Sequence, residues 1–395
     1  FVHLIIIAHI IQWLIHGMTI TPVEPSESMY TLEGGHLNAG FIFFILALIS
    51  TFIFGRYFCG WACHVVALQD GSTWLLGKIG IRPKPFRSRL MLFGPLLLAL
   101  YMFVWPTFRR EALFPLFESM EVGLPTWIGV PQPFPGFTNK LMTQDFWATF
   151  PPWFIAIPFF IICGFFCVYL LGSKGFCTYG CPYGGFFAPV DKLSIGRIVV
   201  SDACEGCGHC TAACTSNVRV HQEVRDFGMV MDPGCMKCMD CVNVCPNEAL
   251  SFSFAKPALF TKPRNEIVAK TAKVRPEYDL TLFQELVIFT LAITLTLCFR
   301  GMAYSIPLLM AVGMGISGAY LGFKVWEMVT APNSRMQNLQ LKLKGRIKPL
   351  GLALGRGLAL GFGCWLGRIS IGLGRRLVAF GAVVRLPESA AFEDD

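Results

Sequence analysis

Charge is what this sequence has least of. Asp, Glu, Lys and Arg make up 15% of its 395 residues, where a soluble domain carries roughly a quarter. So thin a supply cannot solvate the closed surface of a globule this size. With 54% hydrophobic residues and a mean hydropathy of +0.55, the chain belongs in a lipid bilayer. No convincing GxGxxG loop, P-loop, hydrolase elbow or metalloprotease helix is present either, which leaves independent nucleotide-driven or hydrolytic chemistry without support. The net charge of +8 falls on an apolar chain, so it marks membrane faces kept in the cytoplasm and does not point to nucleic acid. Cysteine, by contrast, is plentiful. Most of the sixteen lie in close-spaced runs that suit metal ligation and not a secreted disulfide framework. The first residue is Phe1 and not Met, which leaves a targeting segment undecided.

A crossing helix needs about 20 mostly apolar residues. Six stretches approach this: Phe1 to Met18, Asn38 to Phe58, Leu90 to Trp105, Trp153 to Gly172, Leu282 to Phe299 and Tyr304 to Met328. Pro95 and Pro158 inside the third and fourth predict kinks. Gly318 and Gly322 form a GxxxG pair suited to a close helix neighbour. Gln284 and Glu285 open the fifth stretch and are expected at headgroup level. Orientation follows from basic residues, which are retained inside. Lys78, Arg82, Lys84, Arg87 and Arg89 follow the second span, whereas 19–37 has Glu24, Glu27 and Glu33 and no Lys or Arg. The first loop is therefore expected outside, and 106–152 as an ordered outer cap.

The expected fold is mainly α: a polytopic transmembrane helical bundle of about six spans with one inserted cytoplasmic segment. Residues 1–189 form the membrane domain with four helices, 190–265 the cytoplasmic insert, 266–330 helices five and six, and 331–395 a basic, Gly-rich tail in the cytoplasm or along the anionic leaflet.

Two cysteine runs fall in the insert. Cys204, Cys207, Cys210 and Cys214 have the spacing C-x2-C-x2-C-x3-C, and Cys235, Cys238, Cys241 and Cys245 repeat it, ending in Cys245-Pro246. Three thiolates at this interval wrap three corners of an iron–sulfur cube, and the fourth cysteine of each run reaches the other cube. One [4Fe–4S] cluster then takes Cys204, Cys207, Cys210 and Cys245, and the other Cys235, Cys238, Cys241 and Cys214. Zinc favours two separated CxxC or Cys/His pairs and gains nothing from a third cysteine in each run. Gly206 and Gly208 suit a close approach of backbone amides to cluster sulfur, while Thr215 stands where proline usually follows Cys214. His209, between ligands, reads as a neighbour of the cluster and not as a ligand.

Two further pairs are spaced C-x3-C: Cys59 and Cys63 at the cytoplasmic end of the second span, and Cys177 and Cys181, followed by Pro182, past the end of the fourth. Three readings stand open for them: a third iron–sulfur cluster, a dithiol redox pair, or buried cysteines at helix ends. Cys63-His64 is one residue too long for covalent haem. Cys163 and Cys167 share a helix face and read as packing residues.

These four motifs in order, over about residues 38 to 260, resemble the NapH, NosR and CcoG/RdxA group of membrane-bound polyferredoxins. The resemblance implies that the insert is an α+β bacterial-type two-cluster ferredoxin domain with two short hairpins and two short helices, and that the chain has an electron-transfer role serving a reductase or cytochrome. The chain departs from the group's pattern at His64, where proline is expected, and shows no NosR-type flavin domain in these residues.

His16 and His36 are expected near the outer interface, where they are candidates to contact a quinol headgroup or, less in keeping with the sequence, to ligate haem b; the plainer alternative is a hydrogen bond to a carbonyl or water. The sequence thus predicts a subunit of the bacterial inner membrane that passes electrons between the quinone pool and a partner in a redox complex or a cytochrome. The alternative is a metal-handling assembly or regulatory factor of the CcoG/NosR type.

Overall fold

The computed structural model describes residues 2–120, 133–149, 151–264, 280–302 and 306–358. Most of the tail, the middle of the outer cap, the end of the insert and the start of the sixth stretch lie outside the described residues. By its internal contacts the chain divides into Phe1–Tyr320 and Leu321–Asp395.

Among the described residues four helices are long and apolar enough to cross a bilayer: Met91–Ser119, Trp153–Leu171, Leu282–Arg300 and Leu308–Thr330. The first two stretches form shorter apolar helices, Val2–His16 with 15 residues and Ala39–Phe54 with 16. Six apolar helices are therefore present, but two fall below the length that spans unaided. Ala39–Phe54 is capped at its start by Asn38, whose side chain accepts from the Phe41 N–H at 2.8 Å.

The third span runs 14 residues past Trp105, to Ser119, so the cap begins later than the sequence suggests. Pro106 and Pro115 do not stop it because each falls in the first turn of a helical segment that follows a π turn, at Leu100–Val104 and Arg109–Leu113. Pro95 also sits in a first turn, where its missing N–H costs little. Pro158 lies inside its helix, and a π-helical stretch, Phe160–Phe166, follows. Part of the cap is pinned by short strands: Thr19–Ile20 pairs with Met142–Thr143, and His36–Leu37 with Thr138–Asn139.

The last two helices meet most closely at Gly315, where an added Cβ would collide with Thr296 and lie 2.9 Å from the Ala292 carbonyl, while Gly318 faces Leu295. Glu285 is fully buried within the protein, and its carboxylate accepts the Arg89 N–H at 2.9 Å.

In the insert one antiparallel pair, Gly196–Val200 with Leu250–Phe254, ties the two ends together. Helix Val220–Phe227 separates the cysteine runs, and Met229 makes only a bridge to Val199, so the expected pair of hairpins reduces to one two-stranded sheet. Ile198, Val218, Val220, Val224, Val230 and Leu250 build the core together with Cys210, Cys235 and Cys241. Residues 321–358 hold a three-stranded antiparallel meander, Ser334–Met336, Leu339–Leu343 and Arg346–Ile347, followed by helix.

Candidate metal centres

Each ligand loop of the insert is a copy of the other. Gly206 (φ +72) corresponds to Lys237 (φ 50), Gly208 (φ +80) to Met239 (φ 67), and Asn217 (φ 64) to Glu248 (φ 48). Left-handed residues between cysteines turn successive N–H groups to one side, the geometry of an anion-holding nest. At Lys237 and Met239 the second loop keeps this backbone without glycine, at a cost of roughly 1–2 kcal/mol each. The helices His209–Ala212 and Asp240–Asn243 then carry Cys210 and Cys241 into the core.

Cys204, Cys207, Cys210 and Cys245 line a single cavity, with His209 beside them. Cys245 Sγ accepts the Ala249 N–H at 3.3 Å. The other four converge separately: Cys241 feels the charges of Cys235, Cys214 and Cys238, and Cys214 those of Cys235 and Cys238. Burial, then Cys235, pushes the Cys214 thiol up to about 12. Such thiols stay protonated unless a metal supplies positive charge. Thr215, in the place of proline, donates to Asp240 Oδ2 at 2.9 Å, and Cys238 Sγ donates to the same oxygen at 3.2 Å. The two sets differ in exposure: Cys204 and Cys207 are exposed, Cys235 and Cys241 buried. Among the described residues no three His, Cys, Asp or Glu side chains close on a point suited to one metal ion; the first set of sulfurs rings a cavity instead.

The C-x3-C pairs also share one local build. A left-handed glycine, Gly55 (φ +71) or Gly172 (φ +104), ends the preceding helix. A buried cation, Arg56 or Lys174, then caps a five-residue helix, Tyr57–Trp61 or Gly175–Tyr179, that carries the first cysteine. The second cysteine, extended at φ −88 in both, caps the next helix, His64–Lys78 or Pro182–Leu193. There the backbone N–H groups of Val65 and Val66 favour a charged Cys63 sulfur, and those of Tyr183 and Gly184 a charged Cys181 sulfur. A helix N-terminus favours a negative sulfur, but burial outweighs it and pushes Cys63 up to about 12 and Cys181 to about 11.

The four thiols are gathered. Cys177 lies in electrostatic reach of Cys181, Cys63 and Cys59, and Cys63 of Cys59 and Cys181. Gln69 Nε2 donates to Cys177 Sγ at 2.8 Å, and Arg56 Nη2 lies 3.9 Å from Cys59 Sγ. The first pair does not extend beyond the end of its helix. Gly55 reverses the chain, so Phe58 packs edge-on against Phe43 at 5.1 Å and His64 meets Glu24 of the first loop at 3.5 Å.

Arg56 Nη1 donates to the Pro233 carbonyl at 2.8 Å, and Trp61 Nε1 to that of Lys237 at 3.0 Å. A Cβ at Gly60 would strike the Met236 carbonyl, so the second ligand loop rests directly on the first C-x3-C motif. Beneath it, Asp191 receives the Arg56 N–H at 3.0 Å, Arg197 Nη1 at 3.1 Å and Lys237 Nζ at 3.0 Å, all of them buried. Two buried cations thus share this carboxylate, and Arg56 and Lys237 also lie in electrostatic reach of Asp232. Burial works against the Arg56 charge, but Cys59 and Asp191 hold its pKa above the ordinary value. None of these residues carries a role readable from the sequence alone. The available signal was a cation three residues before the first cysteine of each pair.

Elsewhere, Cys163 and Cys167 are fully buried against Leu309, Gly313 and Ser317, as packing residues should be. His36 Nδ1 lies 3.0 Å from Thr138 Oγ1, and His16 is exposed at the end of the first helix.

Comparison with known proteins follows the same layout. A family model described as a 4Fe-4S binding domain matches residues 38–82 and 153–199, and one described as a 4Fe-4S dicluster domain matches 203–250. The ferredoxin-type protein NapH of Haemophilus influenzae is 25% identical over 244 residues, 60% of this chain and 76% of that protein. The methylamine utilization ferredoxin-type protein MauN of Methylorubrum extorquens is 27% identical over 223 residues, 51% of this chain and 66% of that protein. An uncharacterized protein of Methanocaldococcus jannaschii is 23% identical over 227 residues, 56% of this chain and 73% of that protein. No solved structure matches the chain.

Proposed function

We propose that this chain, a membrane polyferredoxin of the NapH type, moves electrons one at a time between a quinol carrier of the membrane and a redox protein docked on the insert. The observation that carries the reading is the order of the thiol sets. Exposed Cys204 and Cys207 belong to the first, Cys210 lies in electrostatic reach of Cys241 in the second, and the loop of the second rests on Gly60 between Cys59 and Cys63.

The donor sets fit iron–sulfur clusters. Cys204, Cys207, Cys210 and Cys245 would hold one [4Fe–4S] cluster, Cys235, Cys238, Cys241 and Cys214 a second, and Cys59, Cys63, Cys177 and Cys181 a third. When bound, such centres supply one-electron transfer. The chain's own residues do the rest. Inward N–H groups and the buried Arg56, Lys174 and Lys237 offset negative charge, which raises the tendency to accept an electron. The many basic residues after the second apolar helix favour the inner face of a bacterial cytoplasmic membrane for the insert.

Proteoliposomes test the reading. With quinol in the bilayer and a soluble one-electron acceptor on the insert side, electron flux is expected, and Cys207→Ser is expected to abolish most of it. Absence of flux in iron-loaded wild type would overturn the proposal.

A further inference from the structure

Where helix His64–Lys78 meets the second ligand loop there is an open groove of about 460 Å³. That volume lies within the roughly 300–1,000 Å³ of small-molecule sites. Trp61 and Trp74 form its sides and remain 59% and 65% exposed. Its polar side chains are Asp70, Thr73, Lys174, Thr215 and Asp240, the last two of which hydrogen-bond to each other. Thr73 Oγ1 is buried without a hydrogen-bond partner, and Lys174 Nζ stands 3.6 Å from Asp70 Oδ1, too long for a tight pair. Cys238, a member of the second thiol set, contributes to the wall.

We propose that this groove binds the ring of a hydroquinone carrier, which rests on the electron-transfer reading above and gives that carrier a site. Two indole faces suit a flat aromatic ring, and Trp is the side chain that settles at the membrane–water boundary. Lys174 and Thr73 donate to one ring oxygen, and Asp70 accepts from the other hydroxyl. Leu75 and Ile79, exposed on one face of the same helix, lead outward and suit an apolar tail. Oxidation of the hydroquinone to the quinone releases two electrons and two protons. The electrons leave singly to the oxidised iron–sulfur centre held by the Cys238 set, and the protons pass to Asp70 and then to water at the groove mouth.

The test is photolabelling of the full-length, iron-loaded protein in nanodiscs with an azido-benzoquinone, read by peptide mass spectrometry. Adducts are expected on the segment 61–78. Trp74→Ala and the near-isosteric Thr73→Val are each expected to cut labelling by about tenfold, the effect of losing a stacking face or a buried hydrogen bond. Quenching of indole fluorescence by the unmodified quinone should fall in parallel. Adducts on the peptides of His16 or His36, no adducts anywhere, or undiminished labelling in Thr73→Val would overturn the site. Reduced-cluster EPR signals after dithionite in the same samples separate the outcomes: a normal signal with misplaced label rejects the groove alone, whereas no iron–sulfur signal rejects the reading beneath it.

Discussion

Lys237 Nζ lies 3.0 Å from Asp191 Oδ1, and neither side chain has any exposure to solvent. A lysine between two cysteines of a ligand run, at the left-handed position that Gly206 fills in the other run, is thus tied to the helix Pro182–Leu193 that follows the second C-x3-C pair. One buried pair joins the insert to the helices and places positive charge beside the second thiol set.

Replacing that charge separates its two roles. Lys237→Met is expected to shift the midpoint of the second centre to more negative potential, because an anionic reduced state loses a neighbouring cation. A redox titration followed by EPR checks the direction; an unchanged midpoint would show that the ammonium serves packing alone. Asp191→Asn leaves the buried Arg197 and Lys237 without their carboxylate and should destabilise by about 3–5 kcal/mol, read as a lower thermal midpoint.

The close seat at Gly60 is testable with a single methyl group. Gly60→Ala drives a Cβ into the Met236 carbonyl and should displace the second loop, lowering iron retention. Gly71→Ala on the neighbouring helix meets nothing within 4 Å and should stabilise by about 0.5–1 kcal/mol. Equal iron content in the two variants would contradict the docking.

Much of this was legible beforehand. The cysteine spacing marked both runs and both pairs, and Gly206 and Gly208 marked the first loop. Arg197, Lys174, Lys237 and Asp191 were not legible, since a charge in a short polar stretch reads as solvated until its burial is known. Nor was the reversal at Gly55, which depends on one positive φ and draws Cys59 and His64 back along the preceding helix. The burial of Glu285 was likewise not legible, because its partner, the Arg89 N–H, is distant in sequence.

Met239 offers a direct measure of backbone strain. Its φ of 67 is one that glycine adopts freely. Met239→Gly should therefore raise stability by about 1 kcal/mol, seen as a higher denaturant midpoint, while leaving cysteine ligation intact. A loss of stability would mean that the methionine side chain outweighs the strain.

The pair Glu223 and Asp232 predicts a pH dependence. Burial, with Asp232 adding, pushes the Glu223 carboxyl from 4.5 up to about 8. Its folded form binds the proton more tightly than the unfolded form, so its stabilising effect is full below 4.5 and is lost as pH rises towards 8. Glu223→Gln should flatten that decline in the unfolding midpoint; an identical slope in the variant would contradict the assignment.

Iron and acid-labile sulfide counted per chain, in anaerobic wild type and in Cys177→Ala/Cys181→Ala, test the central claim most directly. Three thiol sets predict about twelve iron atoms in the wild type and about eight in the double variant, with the EPR of the insert centres unchanged. About eight in both, or zinc in place of iron, would contradict a line of clusters reaching into the membrane domain.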